Sequence, residues 1–208
     1  LLLSRCGVKL YGNVPLSEHV GIKAPDAQVD FFELPDGQIL KWDLVPFDFE
    51  RPFPFEAEYF DLVTAFEVIE HVTDDPRSFL NEIYRVLKKS GYLYIGTPNV
   101  CSTNKILKIL NHDNPYDAKP YSENFGRRHF MCHVYEYSPW ELKELLKSVG
   151  FKVVSINTWN VYPSDPGLLR DWLFRLLLFF SLIFSGYFKA ALLIFKQRGH
   201  QLGILVQK

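Results

Sequence analysis

Glu67, Glu70 and His71 stand at positions i, i+3 and i+4, the spacing at which side chains share one face of a helix. If the chain turns helical after Phe66, two carboxylates and an imidazole converge there. That donor set suits Mg²⁺ or Mn²⁺, and also Zn²⁺. The plainer alternative is that the three residues top a strand and cap the helix that follows.

The elements around this triplet say where it must lie. Phe60 to Phe66 (FDLVTAF) is a near-continuous apolar run, the pattern of a strand covered on both faces. Asp75-Pro76 then opens a helix, with Asp75 as N-cap and Pro76 at the first helical position. Phe79, Leu80, Ile83, Val86 and Leu87 keep to one face of it, and Ser90-Gly91 is the expected stop. Tyr92 to Gly96 is the next strand, followed by the polar Thr97 and Asn99. Ser138-Pro139-Trp140-Glu141 spells a capping box, with Leu142, Leu145, Leu146 and Val149 as the stripe and Gly150 as the stop. Phe151 to Thr158 and Gly203 to Gln207 read as two more strands. Earlier in the chain, Val8 to Val14 and part of Gln38 to Glu50 have strand character, while Pro15 to Gly37 gives no clear pattern. Strands alternating with helices predict an α/β fold built on a doubly wound sheet. Open sheets of this kind bind small molecules at the carboxyl ends of their strands, which is where Glu67, Glu70 and His71 fall.

Bulk composition narrows the class. With 208 residues, 48% of them hydrophobic, the chain can bury a real core in one domain. A net charge of −1 speaks against nucleic-acid binding driven by bulk charge. Cys6, Cys101 and Cys132 lack the close pairing of a zinc site and suit a reducing, cytoplasmic setting.

Together, Phe60–His71 and the stretch RVLKKSGYLYIGTPN (85–99) resemble the class I S-adenosylmethionine-dependent methyltransferases, among them those found with polysaccharide-biosynthesis genes. The resemblance implies a Rossmann-like, mostly parallel sheet with an antiparallel last strand, and S-adenosylmethionine as cofactor. It assigns Asp48 and Phe49 to the end of the third strand, near the adenine, with Asp43 as the competing choice. Asn13 is the nearest polar group to the ribose position, and Phe66 and Glu67 complete the cofactor set. The family's glycine-rich loop has no counterpart here, since Gly7 and Gly12 are too far apart and wrongly placed. The chain opens on Leu1 and its sole methionine is Met131. The expectation is therefore an amino-terminally truncated domain without its first strand.

The Glu-x-x-Glu-His pattern is also similar to that of metal-using methyltransferases, namely those acting on small-RNA ends and some of the ubiquinone pathway. In the RNA enzymes a later histidine joins the metal. His133, opening His133-Val134-Tyr135-Glu136-Tyr137-Ser138, fits that role, so the implied metal set is Glu67, Glu70, His71 and His133, with His129 a second candidate. The implied reaction is methyl transfer to an oxygen of a sugar or glycan precursor, for which His71 or His133 is the proton acceptor. One rival is a metal-dependent 2′-O-methyltransferase of RNA ends. Another is a non-catalytic module docked on a membrane glycan-assembly complex.

Two segments stand apart within the single domain expected over 1–208. Residues 111–137 are rich in Tyr, Asn, His and Arg and resemble an insert found in polysaccharide-linked methyltransferases, either a lid in which Arg127 and Arg128 pair a phosphate or carboxylate or a loop that only covers the sheet end. Residues 168–198 hold the uncharged run LLLFFSLIFSGYF between Arg175 and Lys189. About thirteen helical residues span roughly 20 Å, short of a bilayer core of about 30 Å. Either a core helix or a peripheral membrane helix flanked by Arg170, Arg175, Lys189, Lys196 and Arg198 is expected.

Overall fold

The computed structural model describes residues 10–14, 30–33, 39–116, 133–160, 176–177, 180 and 199–208. The chain divides into two compact units, 1–55 and 56–208.

In the first unit β1 (Leu10–Val14) pairs in parallel with β3 (Ile39–Pro46), and β2 (Asp30–Glu33) pairs antiparallel with the other edge of β3. β2 lies in the stretch whose sequence shows no clear pattern. Its pairing is non-local, and four residues are too few to display a period.

The second unit carries the sheet order β4-β5-β7-β6. β4 (Phe60–Phe66) runs parallel to β5 (Leu87–Pro98), while β7 (Gln201–Gln207) inserts antiparallel between β5 and β6 (Lys152–Trp159). This is the mixed, Rossmann-like α/β sheet with an antiparallel last strand that the sequence predicts.

Helix α1 (Pro76–Val86) links β4 to β5, and α3 (Pro139–Val149) precedes β6. Both form for local reasons. Asp75 accepts the amide of Arg77 at 3.0 Å with Pro76 at the helix start. Ser138 and Glu141 close a full capping box, and Gly150 leaves α3 at φ +111°. Phe79, Leu80, Ile83 and Val86 of α1 and Leu142 and Leu146 of α3 are buried against Leu93, Ile95, Leu202, Ile204 and Val206 of the sheet. Burying a side chain of this kind contributes about 1.5–3 kcal/mol.

Two expectations are corrected. Ser90-Gly91 does not stop α1: the helix ends at Val86, and Leu87 already begins β5, with Ser90 at φ +64°. Gly91 is needed for strand packing instead, because a Cβ there would lie 2.9 Å from the Lys88 carbonyl oxygen. β4 is not covered on both faces either. Leu62 and Phe66 are 48% and 53% exposed, and of its residues only Ala65 is buried. β4 ends its sheet, whereas α1 packs on β5 and α3 on β6 and β7.

Most of 168–198 and of the lid-like 111–137, including Arg127, Arg128 and His129, lies outside the described residues. Among those described, no helix is long and apolar enough to cross a membrane.

Candidate functional site

The carboxyl ends of β4 and β5 carry the site. β4 ends at Phe66, and Glu67 follows with φ +52°, a left-handed conformation uncommon outside glycine. Its amide is held by the Gly96 carbonyl at 2.9 Å. The helical premise for the triplet thus fails at its first member. Glu67 lies outside the 3₁₀ turn Ile69–His71, and only Glu70 and His71 belong to it.

Tertiary contacts nonetheless gather the chemistry. The Glu70 carbonyl accepts amides from Val134 at 2.7 Å and Tyr135 at 3.2 Å. Tyr137 bridges to Asn99 beyond β5, and its carbonyl accepts the Val100 amide at 3.2 Å. Segment 133–137 is thereby laid along the strand ends, bringing the His133 ring to 5.1 Å from that of His71 in an edge-on arrangement. Glu70, His71 and His133 each offer a donor atom within 4.8 Å of the others. The Glu70 side chain is fully buried, with Oε2 accepting the Thr97 hydroxyl at 2.8 Å. Glu70 Oε1 and His71 Nδ1 are buried without a hydrogen bond.

Glu67 is not among those three donors. It borders them beside Glu70, whose carboxylate acts on it electrostatically. Loss of water, then the nearby charge of Glu70, push the Glu67 carboxyl up to about 7, against a bond from Gln201 and the pull of His71. Glu70 is likewise raised, chiefly by burial. The two carboxylates share a proton more readily than both ionise. With its amide turned to donate, Gln201 bonds the Thr97 carbonyl at 3.0 Å and Glu67 Oε1 at 2.9 Å. Tyr137 is pushed to about 12 by burial and neighbouring acids and phenol, so it stays protonated near neutrality.

The predicted cofactor residues of the first unit are placed as follows. Asn13 sits in β1 opposite Val45. Asp43 lies inside β3 rather than at its end. Asp48 follows β3 and is engaged in its own turn, accepting the Glu50 amide at 2.9 Å through Oδ1 and the Arg51 amide at 3.1 Å through its carbonyl. Phe49 is the next residue of that turn, partly buried. In the second unit, Phe66 is half-exposed, and its ring lies 5.4 Å from that of Tyr94 in a tilted arrangement. A Cβ on Gly96 would meet that ring at 2.6 Å, so glycine is what lets Phe66 lie there.

Sequence reasoning misses four residues that hold this cluster: Thr97, Lys105, Glu136 and Gln201. Thr97 and Glu136 stand within the stretches the sequence singles out, as plain polar positions. Nothing local marks Lys105, which is buried in the first turn of α2 (Thr103–Leu110) and ion-paired with the buried Glu136.

Residues 12–95 match the family described as "Methyltransferase domain". A Mycolicibacterium smegmatis protein named "Probable S-adenosylmethionine-dependent methyltransferase" is 33% identical over 104 residues, which are 50% of this chain and 32% of that protein. The mitochondrial ubiquinone biosynthesis O-methyltransferase of Rattus norvegicus is 28% identical over 156 residues, 74% of this chain and 41% of that protein. The chain thus spans less than half the length of either relative. Among solved structures, a SAM-dependent methyltransferase from Methanosarcina mazei superposes with a TM-score of 0.49 at 17% identity, covering 81% of this chain and 68% of that one. The methyltransferase-domain match over 12–95 and the similarity to a probable S-adenosylmethionine-dependent methyltransferase support the class I methyltransferase resemblance carried by Phe60–His71 and 85–99.

Proposed function

We propose that this protein transfers a methyl group from S-adenosylmethionine to a hydroxyl oxygen of a sugar or glycan precursor. The Glu70–His71–His133 cluster at the ends of β4 and β5 carries this reading. S-adenosylmethionine, when bound, supplies an electrophilic methyl on its sulfonium. Beside the cluster, the half-exposed ring of Phe66 and the kinked backbone at Glu67 fit an aromatic nucleoside lying over the strand end. Positioning then supplies much of the rate, because displacement needs the acceptor oxygen in line with the breaking bond. His133 or His71 accepts the hydroxyl proton as that oxygen becomes nucleophilic. A relative named for O-methyl transfer supports an oxygen acceptor, and the Tyr-, Asn- and Arg-rich 111–137 supports a polyol. The match over 12–95 runs across the boundary at 55, which supports reading both units as parts of one methyltransferase domain.

The cluster also fits a divalent cation. A buried carboxylate oxygen and a buried imidazole nitrogen without partners are what an ion would satisfy. One carboxylate and two imidazoles favour Mn²⁺ or Zn²⁺ over Mg²⁺, which prefers oxygen. A cation there would orient and acidify the acceptor hydroxyl. Metal-dependent 2′-O-methylation of an RNA end would use the same cluster, but the net charge of −1 gives the phosphate backbone little to bind. Peripheral membrane contact through 168–198, on a cytoplasmic protein, is supported by the exposed Leu177 and Phe180.

Methyl-labelled S-adenosylmethionine offered with nucleotide sugars, free polyols, amines and RNA ends tests the reading. Label should enter an ether-linked methyl on a sugar. His133→Ala or His71→Ala should lower kcat by about 10²–10⁴-fold with unchanged cofactor binding. Transfer to amines alone, or no cofactor binding, would overturn it.

A further inference from the structure

Glu136 joins two groups that the reaction as described does not use together. Its Oε1 lies 2.9 Å from His133 Nδ1, and its Oε2 is ion-paired with Lys105 Nζ. Glu136 is 2% exposed and Lys105 8%, so both charges are taken out of water. A buried pair of this kind stabilises little by itself, since the cost of desolvation offsets the attraction. Its geometry does specify something. An ionised carboxylate accepts only, so the bond to His133 requires a proton on Nδ1. Nε2 is then the ring nitrogen that carries the lone pair.

We infer that Glu136, held in place by its ion pair with Lys105, is a positioning residue that fixes His133 as the Nδ1–H tautomer. Ser102 caps α2 through the Lys105 amide at 3.4 Å, and the Lys105 ammonium also lies 5.9 Å from the centroid of the Tyr116 ring. The brace is therefore anchored in the first turn of a helix rather than in a loose loop. The arrangement parallels a carboxylate–histidine–metal triad, in which the outer carboxylate orients the ligand and raises its basicity. This inference rests on the proposed role of His133 for its consequence, though the tautomer itself does not.

The test is made on the intact, metal-free protein by ¹⁵N-correlated NMR of the histidine rings above neutral pH, together with Mn²⁺ titration calorimetry. Wild-type His133 should show the Nδ1–H pattern. In Lys105→Met/Glu136→Met the pair is removed as a unit, which spares the fold an unpaired buried charge. His133 should lose its Nδ1–H preference there, and the Mn²⁺ dissociation constant should rise by about 10- to 100-fold. An Nε2–H pattern in the wild type overturns the inference whether or not the variant folds. So does a variant with unchanged tautomer or unchanged Mn²⁺ affinity. If the wild type binds no Mn²⁺, the metal reading falls, and the two tautomer spectra still decide whether Glu136 positions His133.

Discussion

Thr97 and Glu70 are both fully buried, and the Thr97 hydroxyl donates to Glu70 Oε2 at 2.8 Å across 27 residues of chain. The end of β5 thereby clamps the short 3₁₀ turn that follows β4, and the turn carries two of the three clustered donors. Thr97→Val keeps the shape and removes the donor, leaving a buried carboxylate oxygen unsatisfied. The expected loss is about 1.5–3 kcal/mol in urea unfolding, with Thr97→Ser close to wild type. A Val variant as stable as wild type would show that Glu70 does not depend on this bond.

Glu67 predicts an unusual pH dependence for the metal-free protein. Its carboxyl is raised from the ordinary 4.5 to about 7 in the folded state. Between those values the folded chain holds a proton that the unfolded chain has released, so stability falls as pH rises through that window. Thermal melts from pH 4 to 8 should show this decline, flattened in Glu67→Gln. Because Glu67 is partly exposed, solvent screens the effect, and the expected signature is the slope rather than a large drop.

Divalent metal should follow the cluster. Mn²⁺ should bind one site per chain by calorimetry, and Glu70→Gln or His133→Ala should weaken it at least tenfold. Full methyl transfer in excess chelator, with no metal found in the purified protein, would confine these residues to proton transfer.

Gly150 tests a purely local determinant. It ends α3 at φ +111°, and a Cβ there would only touch the Tyr84 ring at 3.5 Å, an ordinary contact. Gly150→Ala should therefore destabilise through backbone strain alone, by about 1 kcal/mol in denaturant unfolding.

Residues 168–198 give a test of the membrane reading. Wild-type protein should sediment with anionic liposomes, and salt should reduce but not abolish this, since screening acts only on the charged part. Phe179→Ser/Phe180→Ser/Phe184→Ser should lose lipid binding and stay folded. A wild type that ignores liposomes, with an unfolded triple variant, would make the stretch a core helix.

The sequence alone determined the elements whose signals are local. Asp75-Pro76, the Ser138–Glu141 capping box and Gly150 act over one helical turn, so α1 and α3 read directly from spacing. β4 and the placement of Glu67, Glu70 and His71 at its carboxyl end were legible for the same reason. The stop of α1 was misread because its cause is non-local: Leu87 leaves the helix to pair with Phe60, and no preference of Ser90-Gly91 enters. Only the tertiary structure decided which of the candidate residues meet. His133 reaches His71 because the amides of Val134 and Tyr135 bond the Glu70 carbonyl while Tyr137 bridges to Asn99. Glu67 is turned away from the helical face by its left-handed backbone, and Lys105 joins through a charge buried opposite Glu136. Spacing encodes contacts within a turn. Contacts closed by chain reversal are set by which backbone groups must find partners once the sheet has formed.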